Sequence, residues 1–227
     1  MAARIEDYAL IGDLQTAALV SRSGSIDWLC FPRFDSAACF AALVGTEEHG
    51  RWLLAPADDR TRSSRRYRGE TLILETEWET GDGAARVIGF MPPRGRDPDV
   101  VRIVEGLRGE VAMRSELVIR CDYGSIVPWV RRLENGARLA VAGPDALRFE
   151  TPAETYGENM RTISDLTVRG GDRVHFVLTW FPSHQDEPAP IDPEQALADT
   201  VDSGTTGWAA APTTARGLRR CVARSSS

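Results

Sequence analysis

Arg33, Phe34 and Asp35 form the group in this chain best placed to do chemistry. They follow the run 26–31 (Ile-Asp-Trp-Leu-Cys-Phe), which has the apolar and aromatic density of a buried strand. Pro32 cannot donate to a ladder and ends that strand. A cation, a ring and a carboxylate directly past a strand end lie where a rigid scaffold presents loops to ligands. The bland alternative is an Arg33–Asp35 ion pair that pins the loop, and the residues by themselves leave both open. The other reactive types form no pattern. Cys30, Cys39, Cys121 and Cys221 match no zinc spacing, and only three histidines accompany them. The first three thiols are expected to be buried, and neither a metal nor a cofactor is expected.

The elements that must hold this loop read as strands. Residues 8–20 read as one long apolar strand with a polar break at Gly12-Asp13. The turn 21–25 returns the chain as the 26–31 strand, giving a hairpin. Ser36 is a candidate cap for a short helix over 37–43, ended by Gly45. Strands are expected at 51–55, 67–80 and 85–91, with Leu72, Leu74, Thr76 and Trp78 on one face of the second. More are expected at 100–107, 111–123, 126–130, 147–150, 162–168 and 174–181. Asn135-Gly136 centres a hairpin within 133–141. The stretch 58–68, with five arginines, reads as a solvated loop. A dozen or so short strands with almost no helix predict an all-β fold, a sandwich or barrel. Asp192-Pro193-Glu194-Gln195 is a well-formed helix start, predicting a short helix over 191–202.

Composition narrows the function classes. A chain of 227 residues, 42% apolar and 26% charged, can bury one sizeable core. Net charge −6, with no lysine and all 27 basic side chains arginine, leaves no basic excess for a nucleic-acid partner. No apolar run approaches the length of a membrane span, and residues 1–7 lack the hydrophobic region of a signal peptide. A cytoplasmic protein is expected.

Four segments carry a resemblance. The run IEDYALIGDLQTAALVSRSGSIDWLCFPRFDS near the start, FMPPRG at 90–95, DYGSIVPWV at 122–130 and DRVHFVLTWFPSH at 172–184 occur in the order found in bacterial glycoside hydrolase family 15 proteins. The chain resembles the N-terminal portion of these glucoamylase- and trehalase-type enzymes over about residues 5–200. The resemblance implies a large antiparallel β-sandwich (supersandwich-like) over 1–190. In the family this sandwich precedes a linker helix and a separate helical-barrel catalytic domain. That barrel is the implied partner and an α-glucoside or trehalose the implied substrate, hydrolysed by inversion. Gly89 departs from the pattern, since many relatives place an Asp there.

The resemblance also assigns roles. An inverting glycosidase needs an acid and a base carboxyl roughly 6.5–9.5 Å apart. The family places both on the barrel, so no catalytic residue is expected here, and Asp27, Asp35 and Asp122 are expected to be structural. The sandwich would dock on the barrel and edge the sugar pocket. Because rings stack on pyranoses while Arg and Asp bond hydroxyls, the implied contacts are Trp28, Arg33, Phe34, Asp35 and Trp129. Core packing is the alternative for both tryptophans. A different function class, an autonomous carbohydrate-binding or interaction module, would show a row of exposed rings. A docking domain would show a broad apolar patch.

From Ser203 onward the chain has no acidic residue and neither helical nor strand periodicity, which predicts disorder. Shifted by one base, GC-rich codons for Arg219 to Ser227 can spell a helix start like that of the family. The favoured expectation is a frameshift just after about Asp202, in a gene whose product has lost its barrel. Sequencing the gene tests it: the idea fails if the next open frame encodes no helical barrel.

Overall fold

The apolar run near the N-terminus folds as two strands rather than one. β1 (Ala9–Gly12) and β2 (Ala17–Val20) pair antiparallel. Between them Asp13 Oδ1 accepts the N–H groups of Gln15 (3.0 Å) and Thr16 (2.8 Å), and Leu14 takes a left-handed φ of +72°. A short carboxylate bonding its own backbone two and three residues on is what makes a turn there. β3 (Ser25–Cys30) then pairs with β2, as expected. The computed structural model describes residues 4–58 and 60–210, with side chains through residue 204.

Two expectations fail in the next stretch. No α-helix forms over 37–43. β4 (Ala38–Phe40) pairs there with β3, followed by a single 3-10 turn at Ala42–Val44. The free edge of β3 offers ladder hydrogen bonds, which outweigh the helix propensity of a short alanine-rich run. After β5 (Arg51–Pro56), the arginine-rich stretch is not a loop: β6 (Arg62–Tyr67) pairs with β7 (Leu74–Glu79). Arg66 stands opposite Glu75, and both Arg66 and Arg68 donate to that carboxylate, at 2.9 and 2.7 Å. Cross-strand charge pairs thus take the place of apolar alternation. Leu74, Thr76 and Trp78 are buried on one face of β7, as the periodicity predicts, but the single strand expected over 67–80 does not form. Leu72 lies half-buried in the connection between β6 and β7, and Ile73 and Glu75 are buried as well.

β8 (Gly83–Phe90) leads into β9 (Asp99–Val118), one strand where two were expected. β10 (Trp129–Arg132), β11 (Arg138–Ala142), β12 (Asp145–Glu150), β13 (Tyr156–Glu158), β14 (Arg161–Arg169) and β15 (Arg173–Pro182) complete the β structure. They form an all-β sandwich of two antiparallel sheets. One runs β1-β2-β3-β5-β9-β14-β13, with β4 beside β3. The other runs β6-β7-β8-β9-β15-β12-β11-β10. β9 belongs to both. Its first half pairs with β8 and β15, its second half with β5 and β14. The crossing is made at Gly106 and Gly109. A Cβ on Gly106 would lie 1.9 Å from the Arg169 carbonyl oxygen. Gly109 has φ +62°, and its Cβ would lie 2.0 Å from the carbonyl oxygen of Asp82. Only glycine lets the backbones approach so closely.

The core between the sheets is centred on Trp52, Phe149 and Phe176. The first two rings meet edge-on at 5.6 Å and the last two stack at 6.2 Å. The outer face of the second sheet (Ile88, Phe90, Val101, Ile103, Val177) is covered by α1 (Pro193–Ala210) through Ala196, Leu197 and Val201. Asp192 caps the helix, its Oδ1 accepting the N–H groups of Glu194 (2.9 Å) and Gln195 (3.2 Å). The helix runs to Ala210, past the end expected near Asp202. The rest of the tail expected to be disordered lies outside the described residues. No helix among the described residues is long and apolar enough to cross a membrane.

At the start of β9, Asp99 is buried and accepts a hydrogen bond from Thr179 Oγ1 at 2.5 Å. Burial pushes its carboxyl up to about 6, with the Thr179 hydroxyl opposing and the Asp97 charge adding to the rise. The native state therefore holds this proton more tightly than the unfolded chain does. The resulting stability is full below about pH 4 and is lost as pH rises through about 6, a change of about 3 kcal/mol. Asp99→Asn, which keeps an acceptor for Thr179, is expected to flatten that slope and to raise stability at pH 7 by up to about 3 kcal/mol. Urea midpoints from pH 4 to 7 measure it; an unchanged slope in the variant would assign the pH dependence elsewhere.

Candidate functional site

Two of the resembling segments, the N-terminal run and FMPPRG, meet at one end of the sandwich. Arg94, in the loop after β8, reaches the β1–β2 turn and places Nε 2.8 Å and Nη2 2.7 Å from Asp13 Oδ2. Both side chains are buried, 9% and 1% exposed. Arg94 Nη1 also donates to Gln15 Oε1 at 3.4 Å. The Gln15 carbonyl accepts the N–H of Phe34 at 3.1 Å, and Thr16 Oγ1 donates to the Cys30 carbonyl at 2.6 Å. One buried ion pair therefore fixes both the turn and the loop after β3. Leu14 (89% exposed) and Phe34 (63%) project from this frame. Arg33 Nε lies 3.1 Å from Asp35 Oδ1, so the loop-pinning ion pair does form. It is largely exposed, and the Arg33 hydrogen bond, aided by the backbone N–H of Asp35, holds the Asp35 carboxyl below its usual range. Leu14 escaped the sequence reading. Its only signal is an apolar residue set between Asp13 and Gln15 in a turn.

The two tryptophans lie elsewhere. Trp28 is half-buried against Cys30, Ala38 and Ala41, its ring 6.0 Å from that of Tyr123 and tilted 45°. Trp129 is 78% exposed on β10, so core packing does not account for it. It edges a cleft of about 460 Å³ between β10 and the β13–β14 hairpin, with Val127, Val130 and Met160 supplying apolar surface. Three arginines border the same cleft. Arg120 donates to the carbonyls of Ile119 (2.8 Å) and Met160 (3.3 Å), Arg138 to the Thr155 carbonyl (2.7 Å), and Arg161 to Glu116 (2.9 Å). Met160 and these arginines were not anticipated from the sequence. Arg33, Phe34 and Asp35 do not line this cleft, so the five expected contacts fall in three places.

The motif carboxylates are engaged by neighbours. Asp27 accepts from Tyr8 (2.7 Å) and Ser25 (2.5 Å), Asp35 from Arg33, and Asp122 from the Ser125 hydroxyl (2.8 Å). Among the described residues no group of three or more His, Cys, Asp or Glu is placed to hold a metal ion. Cys30, Cys39 and Cys121 are buried free thiols. Burial raises all three, Cys121 to about 11, which makes them poor nucleophiles at neutral pH.

The sequence profile described as "Trehalase-like, N-terminal" matches residues 1–156. The chain belongs to that family. This trehalase-like N-terminal domain is 42% identical to a trehalase of Mycobacterium tuberculosis, in an alignment covering 90% of this chain and 33% of the relative. It is 40% identical to a trehalase of Mycolicibacterium smegmatis (90% and 34% covered), and 31% identical to trehalase 1 of Sulfolobus acidocaldarius (60% and 23%). The chain spans about a third of the length of the mycobacterial relatives. The family match ends inside β13, yet β14 and β15 pair with β9 in either sheet. The trehalase-like domain therefore folds as a unit that runs past the matched segment.

Proposed function

We infer that this chain serves as the non-catalytic β-sandwich of a trehalase-type enzyme of glycoside hydrolase family 15, acting in the cytoplasm. In that reading a helical-barrel portion hydrolyses an α-glucosidic bond by inversion, and the sandwich docks beside it. Neither nucleic acid nor membrane is a partner. The observation that carries the reading is similarity to trehalases along nine-tenths of this chain but only one third of theirs. The motif carboxylates Asp27, Asp35 and Asp122 each accept hydrogen bonds from neighbouring side chains, as structural residues do. The Leu14–Phe34 end, with Arg33 and Asp35, is the part assigned to the edge of the sugar pocket. Its ring and charges suit a glucoside, and the Arg94–Asp13 pair holds it rigid.

Joining the chain to the remaining two thirds of the Mycobacterium tuberculosis trehalase tests this. The chain alone is expected to turn over neither trehalose nor maltose, and the joined protein to hydrolyse trehalose. Phe34→Ala in the joined protein is expected to cost about tenfold in kcat/KM with its melting temperature unchanged. Turnover by the short chain alone would sink the reading.

The autonomous carbohydrate-binding reading draws on one observation, the exposure of Trp129. The residues around it weigh against that reading, since Val127, Val130 and Met160 are aliphatic and form no row of rings.

A further inference from the structure

The β13–β14 turn breaks a local rule. Glu158 faces Arg161 across two residues, Asn159 at φ +48° and Met160 at φ +57°. Left-handed backbone at both positions is type I′ geometry, which suits Asn at the first and glycine at the second. A methionine in the second position pays a steric cost that glycine would avoid. It holds its side chain 77% exposed on the Trp129 cleft. Strain kept at an exposed apolar residue points from structure towards use.

The strand on the other side of the cleft is unfinished. β10 ends its sheet: among the described residues β11 is its only partner. The Leu133 N–H donates to the Ala137 carbonyl, so by antiparallel alternation Arg131 and Trp129 bond inward to β11. The N–H and C=O groups of Val130 and Arg132 therefore face outward along a free edge. On the same strand pair Arg132 stands directly opposite Arg138, a like-charge pairing that destabilises a sheet. Burial and the Arg132 charge both lower the Arg138 pKa, so the repulsion is felt. Arg131 is paired with Glu187 at 3.4 Å, Glu158 lines the cleft, and Arg120 and Arg161 pair with Glu48 and Glu116, so the positive charge left for a partner beside the open edge is that of Arg132 and Arg138.

We propose that the free edge of β10 takes up an extended acidic polypeptide segment as an added strand. An apolar side chain of the segment lodges against Trp129 and Met160, and a carboxylate lies against Arg132 and Arg138. Strand addition supplies main-chain bonds for affinity, and alternate side chains supply the choice of partner. A second copy of this chain is the wrong occupant, because the antiparallel β10–β10 pairing that uses all the outward groups, Val130 against Arg132, sets Arg131 directly opposite Arg131. The proposal goes beyond the trehalase reading and does not need it: its test reads no hydrolysis, so either can fail alone.

The probe is a fluorescein-labelled peptide, Glu-Val-Glu-Leu-Glu-Val-Glu, titrated with the full chain by fluorescence anisotropy, beside a counterpart with every Glu replaced by Lys. The acidic peptide is expected to bind about tenfold or more tighter than the lysine peptide. Val130→Pro removes an outward N–H while sparing the β10–β11 bonds, and Arg132→Glu reverses the charge. Each is expected to weaken binding by about tenfold or more. Met160→Gly is expected to weaken it similarly while raising the melting temperature, a split that mere loss of folding cannot produce. The proposal is overturned by equal affinity for both peptides, or by undiminished binding in a folded Val130→Pro variant. It is equally overturned if trehalose or maltoheptaose displaces the peptide, or if sedimentation shows copies of the chain pairing through β10.

Discussion

Replacing Arg94 with methionine is expected to cost about 3–5 kcal/mol of unfolding free energy, because it leaves the buried Asp13 carboxylate without its cation. Methionine keeps most of the arginine stem's volume, so the loss reads out the charge rather than a cavity. For a domain of this size the melting temperature should fall by about 10 °C. The double variant Asp13→Asn/Arg94→Met should recover much of this, since the amide oxygen can still accept from Gln15 and Thr16 while no charge is buried. A double-mutant cycle by urea denaturation at pH 7 measures the coupling. A single-variant cost below about 1 kcal/mol would mean that the pair behaves as a surface ion pair. In the joined trehalase the same substitution should also lower turnover, because the frame holding Leu14 and Phe34 is released.

Arg102→Met is the second large effect. Arg102 lies in the half of β9 that belongs to the second sheet, yet its guanidinium crosses the core to the first. There it donates to the carbonyls of Trp52 (2.9 Å) and Gly24 (2.6 Å) and sits 5.2 Å from the Trp52 ring centre. Burial pulls its pKa down to about 9, opposed by the Asp27 charge, and it stays protonated at neutral pH. Methionine would fill similar space but remove both hydrogen bonds from the charged guanidinium, each worth about 1.5–3 kcal/mol, leaving the Gly24 carbonyl with the Leu54 N–H alone. Relief of the buried charge offsets part of that, so the net loss is expected to be about 2–4 kcal/mol. Thermal and urea unfolding check it, and an unchanged urea midpoint would show that the two sheets do not depend on this bridge. Arg102→Lys should fall between, because one ammonium cannot span two carbonyls as a guanidinium fork does.

The parts of the molecule legible in the sequence are those set by short-range chemistry. Alternation placed Leu74, Thr76 and Trp78 on the inner face of β7, and Asn135-Gly136 marked the β10–β11 connection. Asp192 and Pro193 marked the start of α1. The order of the motif segments pointed to the family and, through it, to a sandwich, while the dozen or so turn-bounded apolar runs pointed to an all-β sandwich or barrel. The alternation, the turn and the cap each depend on residues within a few positions of one another, and the family resemblance on the order of short motifs along the chain.

Tertiary structure decided the rest. The stretch 37–43 became β4 because β3 had an edge to fill, and 62–67 became β6 because β7 offers glutamates where its arginines need them. Two expected strands fused into β9 because Gly106 and Gly109 let Arg169 of β14 and Asp82 of the β7–β8 turn come close. Neither partner is marked in the local sequence. The candidate surfaces follow the same division. Arg33, Phe34 and Asp35 could be picked out as a strand-end triplet. Their frame depends on Arg94 meeting Asp13 from 81 positions away, and the cleft on Met160 meeting Trp129 across two sheet edges. Local sequence fixes which side chains a strand turns inward. Which strands become neighbours is set by burial of the whole core, and that burial brings these residues together.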